Sequence, residues 1–155
     1  MAEVELREIT EGNRAAVEAL AVSPEQSAYV DGVTASLAEA ARLPDARPWA
    51  RALYADGEPV GFVLLSDGVT VADPAYVGPY FLWRLLVDHR HQGRGYGAAA
   101  VRLVAEHVRT RPDARELLTS TVPGPLSPLP FYLRQGFVDT GTEHEGERVL
   151  SLPLR

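Results

Sequence analysis

The sequence predicts a mixed α/β domain that begins antiparallel, and three observations carry that reading. Two alternating runs in "PWARALYADGEPVGFVLLSDG" flank Asp56-Gly57, a dipeptide suited to a two-residue hairpin turn. "YFLWRLLVD" is apolar almost throughout, as a strand buried on both faces must be, so it belongs near the centre of the sheet. Immediately after it, "QGRGYG" opens a helix with Val101, Val104 and Val108 on one stripe and Arg102, Glu106 and Arg109 on the other face.

The remaining elements follow in order. "VELREIT" (Val4–Thr10) alternates and runs into a Thr-Glu-Gly-Asn turn, which makes it the first strand. Asn13 is placed to cap a short helix, "RAAVEAL", that stops at Ser23-Pro24. In "PEQSAYVDGVTASLAEAAR", Tyr29, Val33 and Leu37 recur near helical spacing, interrupted by Gly32. Beyond the central helix, "ELLTSTV" is a strand and "PGPLSPLPFYLRQGF" a proline-rich approach to a short helix closing at Gly136. "GFVDTGTEHEGERVLSLPL" ends the chain as a hairpin across an acidic turn. The predicted order is β-α-α-β-β-β-α-β-α-β-β.

Composition narrows the chemistry. A chain of 155 residues with 46% hydrophobic and 23% charged residues suits one globular domain, 1–155, with a proper core. No apolar run is long enough for a transmembrane helix, and "MAEVELREIT" lacks a signal layout, so a cytoplasmic protein without membrane contact is expected. Cysteine is absent, which removes disulfides, thiolate ligands and a cysteine nucleophile. Lysine is absent too: all 15 basic residues are arginine. A P-loop and a Schiff-base lysine are therefore excluded. His89, His91, His107 and His144 include no H-E-x-x-H spacing, so no metal is expected. A net charge of −6 argues against nucleic-acid binding and suits a cationic small substrate.

The glycine turn is the main functional signal. A helix N-terminus exposes unpaired N–H groups, and glycines let an anion approach the backbone closely. Arg90 and Arg94 flank the turn, and no acidic residue occurs between Asp88 and Glu106, so phosphate or pyrophosphate is the natural guest. A plain strand-to-helix connection would not require three glycines in five residues. A dinucleotide turn is the second reading, since "GRGYGA" fits G-x-G-x-x-G/A. However, five residues separate Val87 from Gly93, and a hairpin precedes the motif.

The third reading is a resemblance. "VDHRHQGRGYG" resembles motif A of the GNAT superfamily of N-acetyltransferases, Q/R-x-x-G-x-G/A, through Gln92, Gly95 and Gly97. "FYLRQGF" is similar to that family's later "LYEKLGF" segment, with Tyr132 four residues before Gly136. The family's Asn-x-x-Ala run is missing; Pro125 and Pro128 stand there instead, and "SPLPFY" resembles a branch of diamine and spermine/spermidine acetyltransferase-like proteins. The resemblance implies a GNAT (acyl-CoA N-acyltransferase) fold with a mixed, mostly antiparallel central sheet of about seven strands with about four helices. It implies acetyl-CoA as cosubstrate, a small-molecule amine as acceptor and, by analogy alone, a homodimer.

It also implies a distribution of roles. The turn residues Gln92, Gly93, Arg94, Gly95, Tyr96 and Gly97 would cradle the pyrophosphate. The strand edge Leu85, Leu86 and Val87 would pair with pantetheine amides, with a backbone N–H near Val87 facing the oxyanion. Ser127 would touch the cofactor near its thiol or cap the short helix. Tyr132 would protonate the departing thiolate, although a tyrosine in an amphipathic helix is otherwise core. Candidate bases are Glu25, Asp31, Asp73 and the cluster Glu143, Glu145 and Glu147, with a water chain as the alternative to any of them. The competing functions are a protein N-terminal acetyltransferase and a catalytically silent acyl-CoA-binding module.

Overall fold

The computed structural model describes residues 3–155; Met1 and Ala2, part of the stretch read for a signal, lie outside the described residues. The elements are β1 (Val4–Arg7), α1 (Arg14–Glu18), α2 (Val33–Arg42), β2 (Pro48–Ala55), β3 (Glu58–Asp67), β4 (Tyr80–Val87), α3 (Tyr96–Arg109), β5 (Glu116–Thr121), α4 (Leu129–Arg134), β6 (Val138–His144) and β7 (Glu147–Pro153). They form one 7-stranded sheet in the order β1-β2-β3-β4-β5-β7-β6. Every pairing is antiparallel except β4 with β5.

Alternation along the strands divides the core in two. Phe62 and Leu64 of β3, with Ala52 and Tyr54 of β2, pack beneath α1 and α2 against Val17, Leu20 and Val33. Their neighbours Val63, Leu65 and Leu53 point the other way, onto the Val101, Val104 and Val108 stripe of α3. The β2–β3 turn has φ of 50° at Asp56 and 80° at Gly57, the double positive φ that an Asp-Gly hairpin supplies. The apolar strand β4 lies fourth of seven, as its composition requires.

Two local expectations change. Pro24–Gln26 is a single 3-10 turn, and the α-helix begins only at Val33, after an extended Gly32 (φ −68°, ψ 169°). Tyr29 shares the spacing of Val33 and Leu37 but owes its inward position to a long-range contact described below. Asn13 precedes α1 without capping it through its side chain. Its Oδ1 instead accepts from the Thr10 N–H at 2.8 Å, and its Nδ2 donates to the Glu8 carbonyl at 3.0 Å, closing the β1–α1 turn.

Candidate active site

β4 and β5 pair in parallel only at Phe81–Leu118 and Leu82–Thr119, and then part. The cause lies on the other side of β4. Leu64 of β3 pairs with Arg84 and Leu65 with Leu82, leaving Trp83 as an extra residue on β4. Such a bulge bends and twists its strand, and here it turns β4 away from β5. A cavity of about 610 Å³ opens in the fork, with Trp83, Leu85 and Val87 on one wall and Thr119 and Ser120 on the other.

The same register sets what the β4 wall presents. The Asp88 N–H donates to the Val60 carbonyl at 2.8 Å, so antiparallel alternation turns the backbone groups of Val87 and Leu85 away from β3 and into the fork. Leu86 is the opposite case. Its side chain is 1% exposed in the α1/α2 core, and its carbonyl lies 2.5 Å from where a Cβ on Gly61 would sit. Of the three β4 residues expected at the site, Leu85 and Val87 face the cavity and Leu86 faces β3.

The glycine turn closes one end of the cavity. Gly93 and Gly95 have φ of 80° and 82°, a region that side-chain-bearing residues rarely adopt, and nothing lies within 4 Å of the space in front of either. Gly95 is the N-cap of α3, with no side-chain cap and no acidic residue in the first turn. The first N–H groups of a 14-residue helix therefore meet open space with the positive end of the dipole behind them, as an anion requires. Gln92 ties the turn down: its Nε2 donates to the Val87 carbonyl at 3.0 Å and to Gln26 Oε1 at 2.9 Å. Asp88 anchors it from below, accepting from the Ala21 N–H at 2.9 Å, the Arg90 N–H at 3.2 Å and Arg90 Nε at 2.8 Å. Burial alone would raise its carboxyl, but these bonds and the Arg90 charge outweigh it and hold it below the ordinary range. Arg94 is exposed and does not line the cavity; Arg134 of α4 does.

On the far side, α4 brings Tyr132 against β5. Its ring is 6% exposed and packs edge-on between Phe131 and Phe137, at centroid distances of 5.1 and 5.2 Å. Burial pushes its phenol up to about 12, against a smaller lowering influence of the neighbouring Thr119, whose Oγ1 donates to the Leu82 carbonyl at 2.9 Å. Ser127 lines the cavity, and its Oγ accepts from the Leu129 N–H at 3.3 Å, while Pro128 holds the N-cap position of α4. Trp83, Thr119 and Ser120 also line the cavity without a sequence signal, and Tyr29 was legible only as part of a helical spacing. Tyr29 Oη accepts from the Leu126 N–H at 3.2 Å, so the α1–α2 connection bridges to the β5–α4 loop.

The candidate bases are dispersed. Asp31 is paired with Arg84 at 2.8 Å, as is Glu39 at 2.9 Å. Asp73 accepts from the Ala75 N–H within its own loop, and Glu25 is exposed on the Pro24–Gln26 turn. Glu143 lies 3.8 Å from Arg148, and Glu145 is exposed beside His144 at 4.0 Å. Glu147 accepts from Ser120 Oγ at 2.9 Å.

The forked sheet, the outward strand amides and the anion-ready helix turn thus enclose one cleft beside a buried phenol. Residues 14–137 match the model of the acetyltransferase (GNAT) family, and the chain belongs to that family. It is similar to the spermine/spermidine N(1)-acetyltransferase of Bacillus subtilis (strain 168), at 26% identity over 148 residues, 95% of this chain and 96% of the relative. Among solved structures, aminoglycoside acetyltransferase AAC(6')-Ib in complex with coenzyme A and kanamycin has the same fold. The TM-score is 0.76 at 20% identity, over 97% of this chain and 95% of that one. An acetyltransferase from Thermus thermophilus matches with a TM-score of 0.67 at 24% identity, over 97% of each chain. The protein is an acetyl-CoA-dependent N-acetyltransferase. Among the described residues no helix is long and apolar enough to cross a membrane.

Proposed function

We propose that this cytoplasmic, single-domain enzyme transfers acetyl from acetyl-CoA to a primary amine of a small molecule of the polyamine or diamine class, directly within a ternary complex. The observation that carries the reading is the position of Tyr132, buried at the fork beside Thr119 and across from the free edge of β4. Similarity to spermine/spermidine acetyltransferases supports the substrate class.

Acetyl-CoA supplies the activated acyl group. The N–H groups following Gly95 hold its pyrophosphate, with Arg134 close by, and the outward backbone of Leu85 and Val87 pairs with the pantetheine amides. The Val87 N–H faces the oxygen that gains charge. As the C–N bond forms and the C–S bond breaks, the Tyr132 hydroxyl donates its proton to sulfur. A phenol raised to about 12 is fully protonated at neutral pH, while a free thiol titrates near ~8.5. With no cysteine in the chain, acetyl does not pause on a protein thiol.

The test is thiol release from acetyl-CoA with spermidine, putrescine, benzylamine and short N-terminal peptides. Turnover on amines supports the proposal. Turnover on peptides alone replaces it with N-terminal acetylation, and CoA binding without turnover replaces it with a binding module.

A further inference from the structure

Resting on that acetyl-transfer reading, we infer that Glu147, presented through Ser120, receives the acceptor's ammonium group and takes its proton before the C–N bond forms. Among the described residues, the cavity lining holds one charged side chain, Arg134, and no carboxylate, so a cationic amine finds no anion in the first layer of wall. Directly behind that layer, Ser120 Oγ donates to Glu147 Oε1 at 2.9 Å. Glu147 pairs with no arginine or histidine among the described residues, whereas Asp139 and Glu143 share Arg148, and Asp31 and Glu39 share Arg84.

The register explains why this pair meets the amine and not the sulfur. Along β5, Thr119 and Ser120 point to opposite faces. Thr119 belongs to the face that carries Tyr132, as does its alternate Leu117, which packs in the α3 core. Ser120 pairs with Val149 of β7, and Glu147 lies two residues from Val149, so Ser120 and Glu147 share the other face. That other face is covered by α1 and α2 only as far as β4; the core beneath them takes residues from β2, β3 and β4 and none from β5 or β7. Adjacent residues of one strand thus carry the proton donor's partner to one side of the fork and an unpaired carboxylate to the open side.

The transfer balances. The ammonium gives one proton through the Ser120 hydroxyl to Glu147; the freed lone pair then bonds to the acetyl carbon, and the nitrogen's second surplus proton passes to solvent. The C–S pair leaves with sulfur, which takes the Tyr132 proton. Solvent restores both side chains.

The experiment is steady-state thiol release by the full chain with spermidine, putrescine and benzylamine, comparing wild type with Glu147→Gln, Glu147→Asp, Ser120→Ala and Glu143→Gln. Glu147→Gln is expected to lower kcat/KM for the amine at least tenfold and to move the acidic limb of its pH profile, with the acetyl-CoA dissociation constant unchanged. Ser120→Ala should act in the same direction, Glu147→Asp should recover part of the loss, and Glu143→Gln should match wild type. A Glu147→Gln enzyme within twofold of wild type on all three amines overturns the inference while leaving acetyl transfer intact. A wild type that binds acetyl-CoA yet acetylates none of them overturns the transfer reading, and this inference with it.

Discussion

A Cβ built on Gly97, in the first turn of α3, would sit 3.2 Å from the ring of Phe131 in α4. The two helices that flank the cleft therefore approach each other through a glycine. Gly97→Ala gains helix propensity of about 1 kcal/mol, offset by moving Phe131. We predict a melting temperature close to wild type and acetyl-CoA binding weakened by roughly tenfold, about 1.4 kcal/mol, read by calorimetric titration. Unchanged affinity would show that Phe131 yields without narrowing the cleft.

Tyr132→Phe keeps the ring that packs between Phe131 and Phe137 and removes only the hydroxyl, the proposed proton donor. We predict a fall in kcat of roughly 10²-fold or more at saturating substrates, with acetyl-CoA binding retained. Because the phenol is raised to about 12, its protonated form prevails well above the ordinary tyrosine range. The wild-type rate should accordingly show no loss near pH 10 that the variant lacks. A tyrosine-dependent limb at pH 10 would contradict the burial argument.

Asp88 provides a pH test of the glycine turn. Its carboxyl is held below the ordinary value, so the stabilisation is present above about pH 4, near the unfolded value, and is lost as pH falls through the folded one. Asp88→Asn should cost about 2 kcal/mol at pH 7, since it weakens bonds to two amides and Arg90. In thermal melts the gap to wild type should shrink below pH 4. A gap that stays constant down to pH 2 would refute it.

Asp67 offers a contrast away from the chemistry. Its carboxylate is bonded to His107 at 2.9 Å and Arg111 at 2.6 Å, and His107 stacks on Trp49 at 4.1 Å. His107 lies about 15 Å along α3 from the glycine turn. Burial is the largest single influence on Asp67 and acts upward, but the two partners bring its carboxyl below the ordinary range. Asp67→Asn should lower stability by about 1–2 kcal/mol at neutral pH and leave kcat and both KM values unchanged at 25 °C. A change in KM would tie this end of the sheet to the cleft.

What is local was readable from the chain. The Asp56-Gly57 hairpin, the valine stripe of α3 and the glycine turn each depend on residues within one turn or one element of each other. Side-chain period and φ preference act over that range, so their patterns survive in a bare sequence. Tyr132 was reached through a motif resemblance, and the structure buries it beside the fork.

Tertiary structure alone decided the rest. That Leu86 turns from the cleft while Leu85 and Val87 face it follows from a bulge at Trp83, which exists only through pairing with β3. The fork between β4 and β5 depends on strands whose paired residues, Leu82 and Thr119, are 37 positions apart. Ser120 meets Glu147 only because β7 inserts between β5 and β6. Tyr29, at helical spacing from Val33, is instead held by Leu126, almost a hundred residues on. Apolar and polar character mark which residues will be buried or bonded. Strand register, set across the whole sheet, determines with whom.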